Sequence, residues 1–497
     1  MAIKLKRIIY ILVLLITTSS LNAEKLKWAA DAEGNAPYIF QDPLTPDHLM
    51  GFEVDFIDAL SKLMNVTPEF IQNQWDGLIP GLYRGDYDIA VNGLEITEDR
   101  KSAIHFSKPY YVTYEQIVTL SKNPDYKSLI DLRNKKVGAL KNSLAERILL
   151  SEPAIKTLTY EGEVNAFEDL KNGRLDAVLV DAPIALYYAS WNSDMKLTGQ
   201  PIGKVLYGAA FRLNDIELLS RVNNAIDLMI ESGILREILE RWNLWNPLMA
   251  EYTDDFEESE TKHDKYDYYI QIQIKEISLE QRLVRYLTFM PMIARAALMT
   301  VQISVLSMIL AIVLGLFIVI IRLYAPVPFS SLAIAFVEFM RGTPLLIQLF
   351  FIFYALPSIG IMLSPFLAAV LGLGLNYAAY EAENYRAGFN SVPRGQMEAA
   401  LALGMKRRQA LRFVILPQAF RIVLPPVTND FISLLKDSSL VSVITLVELT
   451  KLYNQLSATY FDYIGTGILI AAVYLLLGLP FVKISRTLEN RLLNRNN

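Results

Sequence analysis

The chain has 497 residues, 53% of them hydrophobic, with 47 Lys and Arg against 52 Asp and Glu for a net charge of −5. That length suits two or three domains. The lack of cysteine excludes disulfides, thiol catalysis and a lipidated cysteine behind a leader, and His48, His105 and His263 are too scattered for a metal site. The charge is uneven: residues 281–497 carry +9 and the remainder −14. An acidic half joined to a basic, apolar half argues against nucleic acid and for a membrane protein with an exposed domain.

In chain order, Lys4, Lys6 and Arg7 precede the apolar run Ile8 to Ile16, and Leu21-Asn22-Ala23 offers a small-residue cleavage site. Residues 1–23 read as a secretory signal, which puts the chain beyond Ala23 outside the cytoplasm. From 24 to 246, strand-like runs (LKWAADA, YDIAVNGL, KKVGAL, LDAVLVD) alternate with helical patterns (GFEVDFIDALSKLMNV, SGILREILERW). That alternation predicts an α/β domain with a mostly parallel sheet, long enough for two lobes. Residues 247–283 are acidic and Tyr-rich, and read as a solvated linker.

The membrane domain is expected over 284–497. Ala296 to Ile321 is an uncharged run of 26 residues, enough to cross about 30 Å of hydrocarbon. Gly342 to Tyr380 is uncharged for 39 residues and is interrupted by Pro357-Ser358-Ile359-Gly360, which predicts a helical hairpin. Tyr463 to Val482 is another uncharged run of 20, and a weaker segment around Ile422 to Leu449 contains Asp430, Lys436 and Asp437. About five spans starting outside leave the C-terminus inside. Arg394, Lys406, Arg407, Arg408, Arg412, Lys483, Arg486, Arg491 and Arg495 then all fall on the cytoplasmic side, as the positive-inside rule requires.

The run EAALALGMKRRQALRFVILP fits the pattern E-A-A, three residues, G, nine residues, I-x-L-P, with Glu398, Ala399, Ala400, Gly404, Val414 in the isoleucine slot, Leu416 and Pro417. Good helix formers beside a membrane would also give a plain amphipathic helix. These matched positions at long spacing resemble instead the cytoplasmic coupling loop of ABC-importer permeases, where a short helix docks on a separate ATPase subunit. Glu338-Phe-Met-Arg341-Gly342-Thr343-Pro344, Tyr380-Glu381-Ala-Glu383-Asn-Tyr-Arg386 and Leu435-Lys436-Asp437-Ser438-Ser439-Leu440 are similar to further segments of the polar amino-acid permeases. Charges so close to apolar spans usually line an interior or a pathway, which makes Glu338, Arg341 and Glu383 pathway candidates; Arg386 and Arg394 read as helix ends at the interface.

The exported part resembles the solute-binding proteins for polar amino acids (the family 3 type, periplasmic-binding-protein-like II), on the strings GFEVDFIDALSKLM, NQWDGLIPGLYRGDYDIAV, ITEDRKSAIHFSKPYY, LIDLRNKKVGALKNSLAE and NGRLDAVLVDAPIA. In that family two lobes close around the ligand. The resemblance places Arg100 on a ligand carboxylate, for which a planar guanidinium is suited, Asp181 on the ammonium, and Trp75 as the stacking aromatic. It also brings Gly93, Asn142 and Ser143 to the site, the last two just before a helix near Ala145 whose backbone N–H groups suit an anion. Departures from the family are Glu95 in place of Ser or Thr, Leu144 in place of Thr, and Asn35 near a usual aromatic. Two readings of Glu95 stay open: with Glu33 it selects a ligand carrying an additional amine, or it pairs with Arg100 and retunes the pocket.

No G-x-x-x-x-G-K-[ST] loop occurs; Gly199-Gln-Pro-Ile-Gly203-Lys204-Val205 is too short and reads as a turn and strand. ATP is therefore expected on a separate ATPase subunit, with no cofactor, metal or catalytic residue on this chain. The expectation is an α/β two-lobed domain followed by an all-α permease of the type I importer kind. It would sit in the cell (inner) membrane with the N-terminal domain outside, and take up polar amino acids, basic ones included, with a second permease copy as partner. The competing readings are a ligand-gated channel with an amino-acid-binding ectodomain and a lyase on the binding fold, in which Glu95 would be a general acid or base.

Overall fold

The computed structural model describes residues 24–493 except 34, 47, 259–260, 275–277 and 461. The secretory segment lies outside the described residues. The chain divides into two compact units, one built mainly from residues 50–274 and one from 275 onward.

The first unit holds two five-stranded sheets. One is ordered Thr67–Gln72, Lys25–Ala30, Ile89–Ala90, Ala210–Phe211, His105–Phe106; the other Met195–Tyr207, Tyr111–Leu120, Ala177–Asp181, Lys136–Leu140, Lys156–Tyr160. The expected mostly parallel sheet is corrected here, because each sheet has two parallel and two antiparallel pairings. The chain crosses between lobes twice, after Phe106 and after Tyr207, and each crossing brings a strand in against the βαβ direction. The crossings bond to each other: Ser107 N–H donates to the Ala209 carbonyl (2.8 Å) and Tyr110 N–H to the Tyr207 carbonyl (3.0 Å). Two short backbone segments paired in this way form the hinge between the lobes.

Each lobe has its own apolar core. Ala29, Leu78, Leu82, Tyr87, Ala90 and Leu94 fill one, and Val137, Ala139, Leu149, Ala177 and Leu179 the other. The helix Phe52–Met64 buries Phe52, Phe56, Ile57 and Leu60 at helical spacing. Gly199 to Val205 runs within the strand Met195–Tyr207, which carries two register shifts there. The stretch read as a solvated linker is partly helical, over Pro247–Thr253, Asp264–Ile274 and Leu279–Thr288. It also packs: the Tyr269 ring lies 5.5 Å from Phe40 and 5.0 Å from Tyr187, next to the fully buried Trp242.

The second unit is helical. Met290–Tyr324, Arg407–Ile444 and Tyr463–Thr487 are long and apolar enough to cross a membrane, with mean hydropathies of 3.0, 1.4 and 2.2. The predicted hairpin starts earlier than expected. Its first arm combines Val327–Gly342 with Leu345–Ala355, bent by 109°. Pro344 lacks an N–H, and Thr343 before it is extended (φ −115°, ψ 146°), as a residue preceding proline prefers. The second arm, Pro365–Ser391, is less apolar because it carries Glu381, Glu383 and Arg386.

Breaking a helix at membrane depth leaves carbonyls without partners, and these must be satisfied by protein. Gln348 does so: its amide donates to the Met340 carbonyl (2.8 Å) and to the Thr343 hydroxyl (2.8 Å), while Asn376 donates to Gln348 Oε1 (3.0 Å). Gln348→Leu removes these donors from a buried site and should cost about 1–3 kcal/mol. The loss is measurable as a lower Tm of the detergent-solubilised chain relative to wild type.

Candidate functional site

Between the two lobes of the first unit lies a cavity lined by residues from both. Asn35, Tyr38, Trp75, Asn92, Gly93 and Glu95 come from one side, and Ser143, Glu163, Val180 and Asp181 from the other. As closed here it holds about 20 Å³, room for roughly one water. It is continued by an outer cleft of about 390 Å³ lined by Trp75, Arg100, Asn142, Glu146 and Arg147. The expected site residues are thus gathered around one interlobe space, whereas Glu33 does not line it.

Arg100 stands on the short helix Glu98–Lys101, whose first turn is capped by the Thr97 hydroxyl accepting the Arg100 N–H (3.3 Å). The cap turns the guanidinium back toward Glu95. Nη1 donates to the Glu95 carbonyl (3.1 Å) and to its carboxylate, and Nη2 reaches across the cleft to the Asn142 carbonyl (3.2 Å). The same guanidinium lies 5.1 Å above the Trp75 ring. The other oxygen of Glu95 accepts the backbone N–H of Leu144 from the facing lobe at 2.9 Å. Glu95 is only 3% exposed. The carboxylate that departs from the family pattern therefore holds the Arg100 guanidinium and one backbone N–H of the helix start, groups of the kind that the resemblance assigns to a ligand carboxylate.

Asn142, with φ 62°, is held in a left-handed turn, its N–H donating to Glu146 (2.6 Å). Ser143 caps the helix Leu144–Leu150, accepting from Glu146 N (3.1 Å) and donating to the Leu140 carbonyl (2.7 Å). Gly93 takes φ 57°, and a Cβ there would lie 3.2 Å from the Tyr38 ring. Its N–H is anchored by the buried Glu53 (2.7 Å). Asn35 is buried, its carbonyl accepting the Tyr38 N–H (2.8 Å), and both residues line the cavity.

The opposite wall is acidic. Asp181 ends the strand Ala177–Asp181 directly across from Glu115, and accepts the Tyr38 hydroxyl at 3.2 Å. Burial, then the charge of Glu95, pushes the Asp181 carboxyl up to about 6. Burial, then the charge of Asp181, pushes the fully buried Glu115 well above the usual carboxylate range. Burial raises Glu163, at the start of the helix Glu163–Lys171, to about 7. Sequence reasoning missed Tyr38, Asn92, Glu115 and Glu163. A carboxylate in the apolar strand YVTYEQIVTL was a usable signal for Glu115.

The coupling region forms its own surface on the second unit. The helix Arg394–Ala402 carries Glu398 and Ala399 on its exposed face and buries Ala400. Gly404, with φ 84°, turns the chain into Arg407–Ala410, and the run continues through Leu416 and Pro417, both exposed. Val392, Ile415 and Ala419 seat the loop. Leu403, 84% exposed, projects beside the basic residues, an apolar feature the motif did not flag. Of the pathway candidates, Glu338 and Arg341 are exposed on the second unit, Arg341 lying 5.4 Å from the Tyr380 ring. Glu383 is clamped by Arg322 and Arg386. The fully buried carboxylate of that helix is Glu381, one the sequence did not single out.

Comparison with known proteins places both halves. Residues 26–244 match the bacterial extracellular solute-binding proteins, family 3, and residues 311–494 match the binding-protein-dependent transport system inner membrane component. The L-cystine transport system permease protein of Bacillus subtilis is 38% identical over 206 residues, covering 41% of this chain and 88% of that protein. The chain belongs to the amino-acid ABC importer permeases. It fuses such a permease to a solute-binding domain. The glutamine transport system permease protein of Escherichia coli K12 is 38% identical over 204 residues, 41% of this chain and 93% of that one. The ABC transporter arginine-binding protein 1 of the same organism is 30% identical over 202 residues, 39% and 82%. Among solved structures, an ancestral arginine-binding protein bound to arginine matches at 34% identity over 44% of this chain and 99% of its own, with TM-score 0.42. The importer is thus a multi-pass membrane protein with its binding domain outside, and a transport subunit rather than a channel or a lyase.

The raised carboxyls set the pH response of the ligand-free domain. Asp181 and Glu163 bind protons more tightly folded, at about 6 and about 7, than at their ordinary 3.8 and 4.5. The stability they contribute is present at low pH and is lost as pH climbs through about 7. Thermal denaturation from pH 5 to pH 8 should give a falling Tm, with a shallower fall in Glu163→Gln.

Proposed function

We propose that the exported domain captures a small cationic solute of the basic amino-acid kind and delivers it to the permease. Two copies of the permease form the pathway. A separate ATPase pair docks on residues 394–417, and its closure, driven by ATP, alternates the access of that pathway. The observation that carries the cationic cargo is the balance of charge at the cavity. Asp181 and Glu163 line it, with Glu115 paired across the sheet from Asp181, and the Arg100 guanidinium at its mouth is already matched by Glu95. A cation placed there regains the electrostatic energy that burial costs those carboxyls. The relatives differ in the cargo they are named for (cystine, glutamine, arginine), so the arginine-binding relative supports this reading without deciding it.

Fusion keeps the receptor at high effective concentration beside its translocator, so capture and delivery need no separate encounter in solution. The exposed Leu403 amid basic residues suits a partner groove with an apolar floor and an acidic rim.

The test is reconstitution of the chain with its ATPase in liposomes, with ATP hydrolysis measured against a panel of solutes. Cationic solutes should stimulate hydrolysis most; stronger stimulation by neutral or acidic amino acids would overturn the cargo assignment. Asp181→Asn removes a charge partner of the ammonium and should weaken cargo binding by about tenfold or more. Gly404→Val strains a left-handed turn of the second unit that contributes nothing to the cavity lining, so it should leave cargo affinity unchanged while lowering cargo-stimulated ATP hydrolysis severalfold.

A further inference from the structure

We infer that Glu95 is a built-in stand-in for a ligand carboxylate, so that this receptor selects organic cations lacking a free α-carboxylate over the parent amino acids. The inference rests on the cationic-cargo reading above and narrows it to one end of the cargo.

Three observations converge on it. The Glu95 carboxylate spans the cleft, one oxygen on the Arg100 guanidinium and the other on the Leu144 N–H at 2.9 Å. Two further donors there are also engaged, Arg100 Nη2 on the Asn142 carbonyl and the Ser143 hydroxyl on that of Leu140, while Nη2 of Arg147 on the outer cleft is buried without a hydrogen-bond partner. Glu95 is nearly fully buried, so this is an internal ion pair with little competition from solvent.

A ligand carboxylate seeking these donors must expel Glu95. The displaced carboxylate would be left facing Asp181, Glu163 and Glu115 in a cavity that already resists charging them. Breaking a buried pair while adding a like charge is among the costliest local changes a protein site can undergo. A cation without the carboxylate needs no such displacement. Its amine or guanidinium meets the Asp181 wall, its alkyl chain lies against Trp75 and Tyr38, and Glu95 stays in place. Arg147 is the other guanidinium a carboxylate could reach, and it lies on the outer cleft, where one Nη donates to the Asn142 carbonyl (3.1 Å).

The experiment is titration calorimetry on the full chain in lipid nanodiscs, comparing arginine with its decarboxylated amine agmatine, and lysine with cadaverine. Each amine should bind at least about tenfold more tightly than its parent amino acid. Glu95→Thr, which frees Arg100 and the Leu144 N–H, should invert that order. Glu95→Gln keeps the size and removes the charge, so it should move the ratio the same way by a smaller factor.

Tighter binding of arginine or lysine to wild type would overturn the inference and leave a cationic amino acid as cargo. Loss of that binding in Arg147→Ala would then locate the carboxylate on the outer cleft. An order unchanged in Glu95→Thr would equally overturn it, since the selection would not reside in Glu95. Tighter binding of a neutral or acidic amino acid than of all four cations, or binding of none of the four by the folded protein, would remove the cationic-cargo reading as well.

Discussion

The ion pair between Glu95 and Arg100, extended by the Leu144 N–H, organises the receptor half of this chain. It is local in sequence, five residues apart, yet its outer contacts reach the facing lobe at Leu144 and Asn142. It thereby does two things at once. It satisfies a buried carboxylate and a guanidinium that would each be costly alone, and it pins the lobes together across the cleft. The rest of the site's chemistry depends on that neutralisation. With the guanidinium matched, the groups left to meet a cargo are the raised carboxyls of Asp181 and Glu163, with Glu115 paired across the sheet from Asp181, and cargo chemistry is set by what can face them.

The membrane half obeys a related constraint with different means. Where the chain breaks at Thr343-Pro344, Gln348 and Asn376 supply the donors that the helix has lost. Elsewhere Tyr377 donates to Asp437 (2.7 Å), Asn384 to Asp430 (2.8 Å), and Arg322 with Arg386 holds Glu383. Polar groups on these helices are mostly spoken for by neighbours, as an apolar surrounding demands. The coupling surface is the opposite case, with Glu398, Ala399, Leu403 and Leu416 left uncovered on the second unit. Exposure of large apolar residues in a basic setting is what a docking helix needs and a solitary helix does not.

Much of this was legible in the sequence, for identifiable reasons. The two-part division came from charge and hydropathy, and the coupling loop from a pattern whose turn depends on a glycine at positive φ. Trp75, Glu95, Arg100, Asn142, Ser143 and Asp181 were each placed by the resemblance to the family 3 solute-binding proteins, carried by strings that cover nearly the whole domain, and all line the cavity or the outer cleft. The sheet direction was misread because alternation of strands and helices does not reveal that a chain crosses between lobes. Glu163 and Tyr38 escaped because nothing in their local sequence distinguishes a cavity wall from a helix start or a loop. The membrane hairpin was misplaced at its start because Glu338 and Arg341 interrupt the apolar run that the helix itself continues through.

The most direct measurement of the central claim is a crystal or cryo-EM structure of the chain with a bound cationic cargo. The account predicts the cargo nitrogen against Asp181 with Glu95 still seated on Arg100 and Leu144. A cargo carboxylate on Arg100, with Glu95 turned away from it, would contradict the account.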